Sequence, residues 1–327
     1  MEFRTEIPAP ASSWKINHSD KLMFIGSCFA ENMGQNFTDI KGHTMINPFG
    51  VMFNPVSLAD ALTRIAENRK ATDDDFIQIR DLWASFNFHG MFSGLDKGQV
   101  EWSINNATEQ AHAFLCTADY LTITLGTAWV YTLNETGKIV ANCHKVQESN
   151  FTRRRLSIDE CTASLRQIAQ SVRSINPKVK IIISVSPIRH WKEGAHENQL
   201  SKSILMLAAE EFVRNDSAAE YFPAYEFLMD DLRDYRFYKK NLINPNGEAV
   251  EYIWQKFREC YFSREAVSIA ESTVGFIKAA NHRPFNRLSE SHQQFLRTQI
   301  ADLKVFHKQY PYIDFNEELH LLQAQLR

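Results

Sequence analysis

Three short runs of apolar and β-branched residues, each followed by a small residue, constrain the fold of this chain most strongly. The runs are Lys21–Ile25, Leu121–Leu125 and Lys180–Val185, and they are followed by Gly26, Gly126 and Ser186. Continuous apolar runs of this length are typical of strands that are buried on both faces, as in parallel sheets. Amphipathic helical patterns separate the runs, so the sequence predicts an α/β fold with a parallel sheet.

Helices and short connections fill the chain between these runs. Ser157 and Glu160 form a capping box, from which a helix is expected to bury residues 158, 161, 165, 168 and 172. A later helix is expected to turn Leu200, Ile204, Leu207 and Ala208 inward. Further helices are predicted over residues 29–37, 57–68, 102–117 and 246–262, strands at 43–46 and 221–222, and a hairpin over 131–142. Residues 71–101 show no clear period, and we interpret them as a loop-rich insertion.

The last part of the chain has a different pattern. From Arg264 onward it is purely helical, and Leu296, Ile300 and Leu303 share one side of a predicted helix over 289–307. We therefore predict an α/β domain over residues 1–262 and a C-terminal helical extension over 263–327. In the α/β domain the strand ends at Gly26, Gly126 and Ser186 are expected to lie along one edge, where such sheets bind ligands.

Composition excludes several classes of protein. The chain has 327 residues, with 36 Lys and Arg against 39 Asp and Glu, so its net charge is −3 and it is not a polybasic nucleic-acid binder. With 44% hydrophobic residues and 23 Phe it can fill a large core. The five Cys include no CxxC pair, which argues against a disulfide framework, a zinc ribbon or another metal site. We expect no membrane segment, no signal peptide, no cofactor and a cytoplasmic location, and the oligomeric state stays open.

The segment Gly26-Ser27-Cys28 is the first candidate for chemistry. A cysteine between a buried strand and a helix lies near the helix N-terminus, where free amides and the helix dipole favour an anion. This position is expected to lower the pKa of the thiol and to provide amides for an oxyanion. The alternative is that Cys28 is a small core residue.

The segment around Cys28 resembles the motif of the GSCFA family, and the resemblance extends over most of the chain. The matching segments, in order, are Gly26–Asn32, Phe3–Ile7 before it, Ile46–Gly50, Thr124–Trp129, Val140–Lys145, Arg153–Leu156, Val185–His190, His196–Lys202 and Asp234–Tyr238. The family is similar to the SGNH, or GDSL-like, hydrolases. That similarity implies a flavodoxin-like three-layer sandwich and ester hydrolysis or acyl transfer.

The resemblance also implies roles for individual residues. Cys28 stands where the nucleophilic serine of SGNH enzymes stands, and Gly50 stands near the second-block glycine whose amide helps to form the oxyanion hole. Gly126 opens the third block, in which Thr127 is a possible substitute for the missing asparagine donor. We also expect Ser27 and Asn198 to line the cleft.

The fifth block departs from the family pattern. An Asp-x-x-His before a proline is expected there, but this chain has Asn241 and Asn244, and an asparagine cannot accept a thiol proton at neutral pH. A thiolate stabilised by a helix terminus needs less help from a base than a serine does, but a leaving group still benefits from an acid. The candidates for this acid or base are His89, His144, His190 and His196. Of these we favour His190, because it follows a predicted strand end.

Two hypotheses about function follow. The first is a hydrolase or acyltransferase that attacks an ester or thioester of a small or acylated substrate through Cys28. The second is a catalytically silent GSCFA-family binding protein, because Asn241 and Asn244 replace the expected Asp and His. A third, less specific, possibility is a protein whose C-terminal helices bind a partner.

Overall fold

We describe the protein from a computed structural model that covers residues 4–327, so Phe3 of the N-terminal motif lies outside the described residues. The chain forms two compact units. The first comprises the residues up to Pro10, Lys21–Gln35 and Thr44–Phe257. The second comprises Ala11–Asp20, Asn36–His43 and Arg258–Arg327. The predicted domain boundary after residue 262 stays a prediction.

Ten strands and ten helices occur within residues 4–327. The strands are β1 Lys21–Gly26, β2 His43–Ile46, β3 Ile77–Ile79, β4 Leu82–Ala84, β5 Tyr120–Leu125, β6 Trp129–Leu133, β7 Ile139–Val140, β8 Phe151–Arg155, β9 Lys180–Val185 and β10 Ala219–Tyr221. The helices are α1 Cys28–Asp39, α2 Pro55–Ala66, α3 Lys97–Leu115, α4 Ile158–Ile175, α5 Gly194–Arg214, α6 Ala224–Glu226, α7 Gly247–Tyr261, α8 Arg264–Ala280, α9 Glu290–Gln309 and α10 Asn316–Gln323.

The three apolar runs form the centre of one sheet. The sheet has the order β10-β9-β5-β1-β2, in which β1 and β5, β5 and β9, and β9 and β10 are parallel. Counted along the chain, this is the 2-1-3-4-5 order of flavodoxin-like sheets, whose switch point lies between the first and third strands. Here the switch point lies between β1 and β5. The predicted α/β fold with a parallel sheet is therefore confirmed.

Both faces of the sheet are covered, which explains why its strands are continuously apolar. On one face, Met23, Ile123 and Ile183 belong to a core that also includes buried residues of α2, α4 and α5. On the other face, α1 approaches so closely that a Cβ added at Gly34 would lie 3.2 Å from the Phe24 ring. Helices on both faces make the three layers that we predicted.

The chain between β2 and β9 contains more regular structure than the sequence suggested. The expectation of a loop-rich insertion over 71–101 is wrong in part, because β3 and β4 form an antiparallel hairpin there and α3 already begins at Lys97. The predicted hairpin is present as β6 and β7, and β8, which we did not predict, adds a third antiparallel strand. The sequence did not indicate β8 as a strand, because its three consecutive arginines, Arg153, Arg154 and Arg155, break the alternation of polar and apolar residues.

Charged contacts hold the N-terminal segment against the end of the first unit. The Arg4 guanidinium lies 3.0 Å from a carboxylate oxygen of Asp231, which also accepts a hydrogen bond from the Ile7 amide. Lys256 of α7 donates to the Glu6 carboxylate at 2.7 Å. The described part of the N-terminal motif therefore has a structural role in this unit.

The second unit is predominantly helical, as predicted. Its core includes Leu296, Ile300 and Leu303 of α9, together with Phe315 and Leu322. Their spacing on α9 is the one that the sequence predicted. No helix within residues 4–327 combines the length and the hydropathy that crossing a membrane requires.

A buried asparagine offers a test of the packing at the amino ends of the strands. Asn176, which caps α4, donates from its side chain to the carbonyls of Leu115 and Ala118, at 2.8 and 2.7 Å. We expect Asn176→Ala to lower the free energy of unfolding by about 2–3 kcal/mol, because two buried hydrogen bonds are lost and an acceptor is left unsatisfied. Urea unfolding measures this change.

Asn215→Ala is the matched control. Asn215 also caps a helix, but it is exposed, and its side chain donates to the Glu211 carbonyl of the same helix. Its replacement is expected to cost less than about 0.5 kcal/mol. Equal losses for the two variants would contradict the role of Asn176.

Candidate functional site

The candidate site lies at the carboxyl edge of the sheet, where β1, β5 and β9 end. Gly26, Gly126 and Ser186 occupy these ends, and the strands are neighbours in the sheet. Because the switch point lies between β1 and β5, a ligand crevice is expected at this edge. The chain leaves β1 there and enters α1 at Cys28.

The turn from β1 into α1 requires a glycine. Gly26 has φ of +133°, and a Cβ added to it would lie 2.2 Å from the Thr124 carbonyl oxygen of β5. The Gly26 amide donates to the Asn47 side chain at 2.8 Å. The buried Ser27 accepts a hydrogen bond from the Phe29 amide through its hydroxyl, at 3.3 Å. Ser27 thus caps α1 and is not part of the cleft surface.

Cys28 is the first residue of α1, and its side chain is half-buried. Burial raises the pKa of the Cys28 thiol, and the Glu31 carboxylate raises it further. The main-chain N–H of Cys28 and the ammonium groups of Lys239 and Lys202 lower this pKa by less. The expectation of a lowered pKa is therefore wrong, because desolvation outweighs the amide at the helix end. At neutral pH the sulfur carries its proton, so a nucleophilic role requires a base.

Lys202 of α5 is a buried amine at the same edge. Its side chain is fully buried, and its ammonium group donates to the carbonyls of Gly126 and Ser186, both at 2.7 Å. Burial lowers the pKa of Lys202 to about 7, and the Arg189 guanidinium acts in the same direction. The Cys28 sulfur acts in the opposite direction on the Lys202 pKa, so the two groups interact electrostatically.

The sequence did not lead us to Lys202, because the inward face predicted for α5 is only partly correct: Ala208 is buried and Ile204 packs against the core. Leu207, which we placed inward, is 54% exposed. The buried face instead carries residues 198, 201, 202, 205, 208, 209 and 212. These residues have helical spacing. Leu205, Ala209 and Phe212 are apolar and lie on this face, and one helical turn before Leu205 the same face reaches Ser201 and Lys202. That spacing was the signal that could have identified Lys202 as buried.

Polar residues of the buried face of α5 form hydrogen bonds with residues that follow the ends of β5 and β9. The Asn198 side chain accepts from the Arg189 guanidinium at 3.3 Å. Ser201 accepts from the Ala128 amide at 2.8 Å, and its hydroxyl lies 3.1 Å from the Thr127 hydroxyl. Asn198 is only 2% exposed and is paired with Arg189, so it positions this guanidinium rather than facing open solvent.

His190 lies near Lys202 but in a different setting from the one that we expected. Its ring packs edge-to-face against Phe53, with the ring centroids 5.5 Å apart. Burial, together with the cations of Lys202 and Arg153, lowers the pKa of His190 to about 4. Within residues 4–327 no hydrogen bond joins the Cys28 sulfur to an imidazole. The geometry does not favour His190 as the base, and that role stays a prediction.

The other candidate histidines have local roles or are exposed. His89 accepts from the Met91 amide through Nδ1 at 3.3 Å. His144 Nε2 lies 2.6 Å from the Ser85 carbonyl oxygen. His196 is exposed in the first turn of α5.

The Gly50 amide, which the resemblance connects with an oxyanion hole, is already engaged within the protein, and so is the amide of Gly126, which opens the third block. The Gly50 amide donates to the Asn47 carbonyl at 2.7 Å, and the Gly126 amide donates to the Phe53 carbonyl at 2.8 Å. The expectation that the Gly50 amide holds an oxyanion is therefore not supported by its hydrogen bonding. In the described part of the chain the Cys28 amide has no main-chain or side-chain acceptor except its own sulfur. It is the donor nearest to the thiol.

The fifth-block asparagines form a turn. The exposed Asn241 side chain accepts from the amides of Ile243 and Asn244, both at 3.1 Å, while the Asn244 carbonyl accepts from the Lys239 amide at 2.7 Å. Because the Lys239 ammonium lowers the pKa of Cys28, this turn lies on the same edge as the thiol. Neither asparagine can act as a base there.

A large cavity lies beside this edge. Its volume is about 790 Å³, and its wall includes Phe53, Thr127, Trp129, Arg153 and His190. Cys28 does not line it. Thr127 follows Gly126, whose carbonyl accepts from Lys202, so the cavity adjoins the buried amine and is separate from the sulfur. Residues 4–327 contain no group of three or more His, Cys, Asp or Glu side chains placed to hold a metal ion.

Comparisons with solved structures gave distant similarities. A carbohydrate esterase family 3 protein from Talaromyces cellulolyticus aligns with 77% of this chain and 99% of its own, at 8% identity and a TM-score of 0.38. An acetyl xylan esterase from the rumen bacterium Butyrivibrio proteoclasticus aligns with 75% of this chain and 64% of its own, at 12% identity and a TM-score of 0.39. Among the curated proteins there is no match.

Comparison with protein-family models gave a match over most of the chain. Residues 21–257 match the model of the GSCFA family, and residues 277–327 match that of the C-terminal domain of GSCFA domain proteins. The first match begins at β1 and includes the Gly26-Ser27-Cys28 turn, both fifth-block asparagines and Lys202. This chain belongs to the GSCFA family.

Proposed function

We propose that this protein is a hydrolase or acyltransferase that acts on an ester or thioester with the Cys28 thiol as nucleophile. The position of Cys28 carries the proposal. The thiol is half-buried at the first residue of α1, at the switch point of the sheet. Its sulfur interacts with its own amide and with the cations of Lys202 and Lys239, all of which favour a thiolate.

The reaction begins when Cys28 gives its proton to a base and its sulfur forms a bond to the acyl carbon. The carbonyl electron pair moves to the oxygen, where the Cys28 amide can stabilise the negative charge. Collapse of this intermediate breaks the bond to the leaving alcohol or thiol, which takes the proton back from the base. The acyl group stays on Cys28 as a thioester until water or an acceptor releases it.

Lys202 is the base that we propose for this step. A neutral amine has two N–H groups and one lone pair, and the carbonyls of Gly126 and Ser186 can accept from both N–H groups. The lone pair is then left to accept a proton. No direct hydrogen bond joins Lys202 to Cys28, so we propose that a bridging water carries the proton between them.

The pKa values favour Lys202 over His190 in this role. A base works best when its pKa lies near the operating pH, and the pKa of Lys202 is lowered to about 7, whereas that of His190 is lowered to about 4. An amine of this kind can take up a thiol proton and return it to a leaving group at neutral pH.

A catalytically silent binding protein is the second candidate. It is favoured by the raised pKa of Cys28 and by the engagement of the Gly50 and Gly126 amides within the protein. It predicts ligand binding without acylation of Cys28. The two candidates therefore differ in one measurable event, the transfer of an acyl group to the sulfur.

Cys28→Ala tests the proposal directly. With p-nitrophenyl acetate and an acetyl thioester as probes, we expect the wild-type protein to form an acetyl adduct on Cys28 and to turn over at least one probe. The Cys28→Ala variant lacks the sulfur and is expected to fall to the background rate. Peptide mapping by mass spectrometry locates the adduct, and release of the leaving group gives the rate.

Cys116→Ala and Cys143→Ala are the matched controls. Cys116 is exposed at the end of α3, and Cys143 lines the large cavity. Both variants are expected to keep the wild-type rate. Turnover that survives Cys28→Ala, or an absence of any Cys28 adduct with both probes, would refute the nucleophilic role.

Lys202→Met tests the assignment of the base. We expect kcat/KM of the wild-type protein to increase with pH as the Lys202 ammonium, with a pKa of about 7, loses one proton. The reason is that only the neutral amine accepts the thiol proton. In Lys202→Met that rise is absent and the rate near neutral pH falls about 10²–10⁴-fold. Lys239→Met removes another cation that interacts with Cys28, but keeps the rise. A Lys202→Met profile that retains the rise contradicts this role.

Lys202 also makes stability depend on pH. Its pKa is about 7 in the folded protein and near its ordinary value of 10.5 in the unfolded chain, so the unfolded state binds more protons between these values. The free energy of unfolding therefore rises from pH 7 to pH 10.5, by an amount on the order of a few kcal/mol. Lys202→Met is expected to remove this part of the rise, as measured by urea unfolding at several pH values. Identical pH slopes in the two proteins would contradict a lowered Lys202 pKa.

A further inference from the structure

The large cavity beside β6 and β8 has the size of a ligand site and a wall of mixed character. Its volume of about 790 Å³ is within the range of small-molecule sites. Aromatic side chains of Phe53, Trp129, Tyr131 and Phe151 form part of the wall. Aromatic side chains of this kind favour a ligand with an apolar or ring-bearing part. The charged residues on the wall determine which polar group the ligand carries.

Cations outnumber carboxylates on the wall. Lys145, Arg153 and Lys192 line the cavity, with Glu148 as the carboxylate. Glu148 pairs with Lys192 at 2.6 Å, and Glu193 pairs with the Arg153 guanidinium. Within residues 4–327 the Lys145 ammonium has no ion-pair partner. One positive charge on the wall is thus left without a carboxylate.

The backbone that carries Lys145 is strained and held in place. His144 and Lys145 have φ values of +47° and +60°, which residues other than glycine rarely adopt. The His144 amide donates to the Asn142 side chain at 2.8 Å, and His144 Nε2 lies 2.6 Å from the Ser85 carbonyl oxygen. Strain of this kind persists where the surroundings enforce it, and it is concentrated at ligand sites. Here its effect is to present Lys145 on the cavity wall.

We propose that this cavity binds a small organic anion, with an apolar or ring-bearing body against the aromatic wall and a carboxylate or phosphate group at Lys145. The proposal does not depend on acyl transfer by Cys28, since Cys28 does not line the cavity. Carboxylates and phosphates share the acceptor oxygens that an ammonium group binds, so both belong to one class of ligand.

Three matched probes test the proposal on the full chain by isothermal titration calorimetry. They are 1-naphthoate, 1-naphthyl phosphate and the neutral 1-naphthalenemethanol. We expect at least one anion to bind about tenfold or more tightly than the neutral compound at low ionic strength, with the difference decreasing as salt is added. The better anion identifies the acidic group. Equal affinities for the anions and the neutral compound would overturn the proposal.

Lys145→Gln tests whether the acidic group of the ligand binds at the Lys145 ammonium. This exposed residue is expected to tolerate replacement, and the variant should bind the better anion about tenfold more weakly with no change for the neutral compound. Lys178→Gln changes an exposed lysine outside the cavity wall and should leave both affinities unchanged. Wild-type anion affinity in Lys145→Gln would refute the role of Lys145.

Cys143 provides a second measurement at the same cavity. This thiol lines the wall, whereas Cys116 is exposed on α3 and does not. Bound anion is expected to slow alkylation of Cys143 by iodoacetamide at least threefold and to leave Cys116 unchanged. Binding that leaves the alkylation rate of Cys143 unchanged would place the anion elsewhere and overturn the proposal. Because Cys28→Ala should bind the anions like the wild-type protein, failure of acyl transfer and failure of anion binding are distinguishable.

Discussion

The carboxyl ends of β5 and β9 depend on one buried amine. Where parallel strands end, their carbonyl groups lose the partners that the sheet provided, and a buried carbonyl without a donor costs about 1–3 kcal/mol. Lys202 of α5 donates to the carbonyls of Gly126 and Ser186, which follow β5 and β9, so these hydrogen bonds connect α5 to the ends of both strands. The same contacts remove the amine from bulk solvent, and this desolvation lowers its pKa to about 7. The group that stabilises the edge is thereby also the group best able to exchange a proton there.

The sheet could be predicted from the sequence, whereas the chemistry at its edge could not. The runs that became β1, β5 and β9 are apolar on both faces, and only a covered parallel sheet satisfies such runs, so their placement followed from burial alone. The inward face of α5 was predicted only in part, with Ala208 correct and Leu207 wrong, because we counted only apolar residues as buried. At this helix the buried face begins with Asn198 and Lys202, whose partners come from residues distant in sequence. A buried lysine cannot be recognised before the carbonyls that satisfy it are known.

The prediction for Cys28 failed for a related reason. Its position at the first residue of α1 follows from the Gly26 turn and could be predicted from the apolar run that ends there. The pKa of the thiol depends instead on how far the sulfur is removed from water, and on the Glu31 carboxylate one helical turn away. A helix N-terminus favours a thiolate only if its amides outweigh this desolvation. Here they do not, and the thiol therefore needs a proton acceptor rather than only a favourable field.

The turn at Asn241 cannot supply the acceptor, which our proposal therefore places on another element. Its side chain accepts from two amides of the turn, a local role for which an amide oxygen is sufficient. Asn241 and Asn244 cannot take up a proton, but the turn keeps Lys239 within electrostatic reach of Cys28. The Lys202 amine and the Arg189 guanidinium lie at the same edge, and Lys145 lines the neighbouring cavity. Because charges that line a cleft concentrate the electrostatic field there, a net charge of −3 for the whole chain is compatible with the anionic ligand that we propose for this cavity.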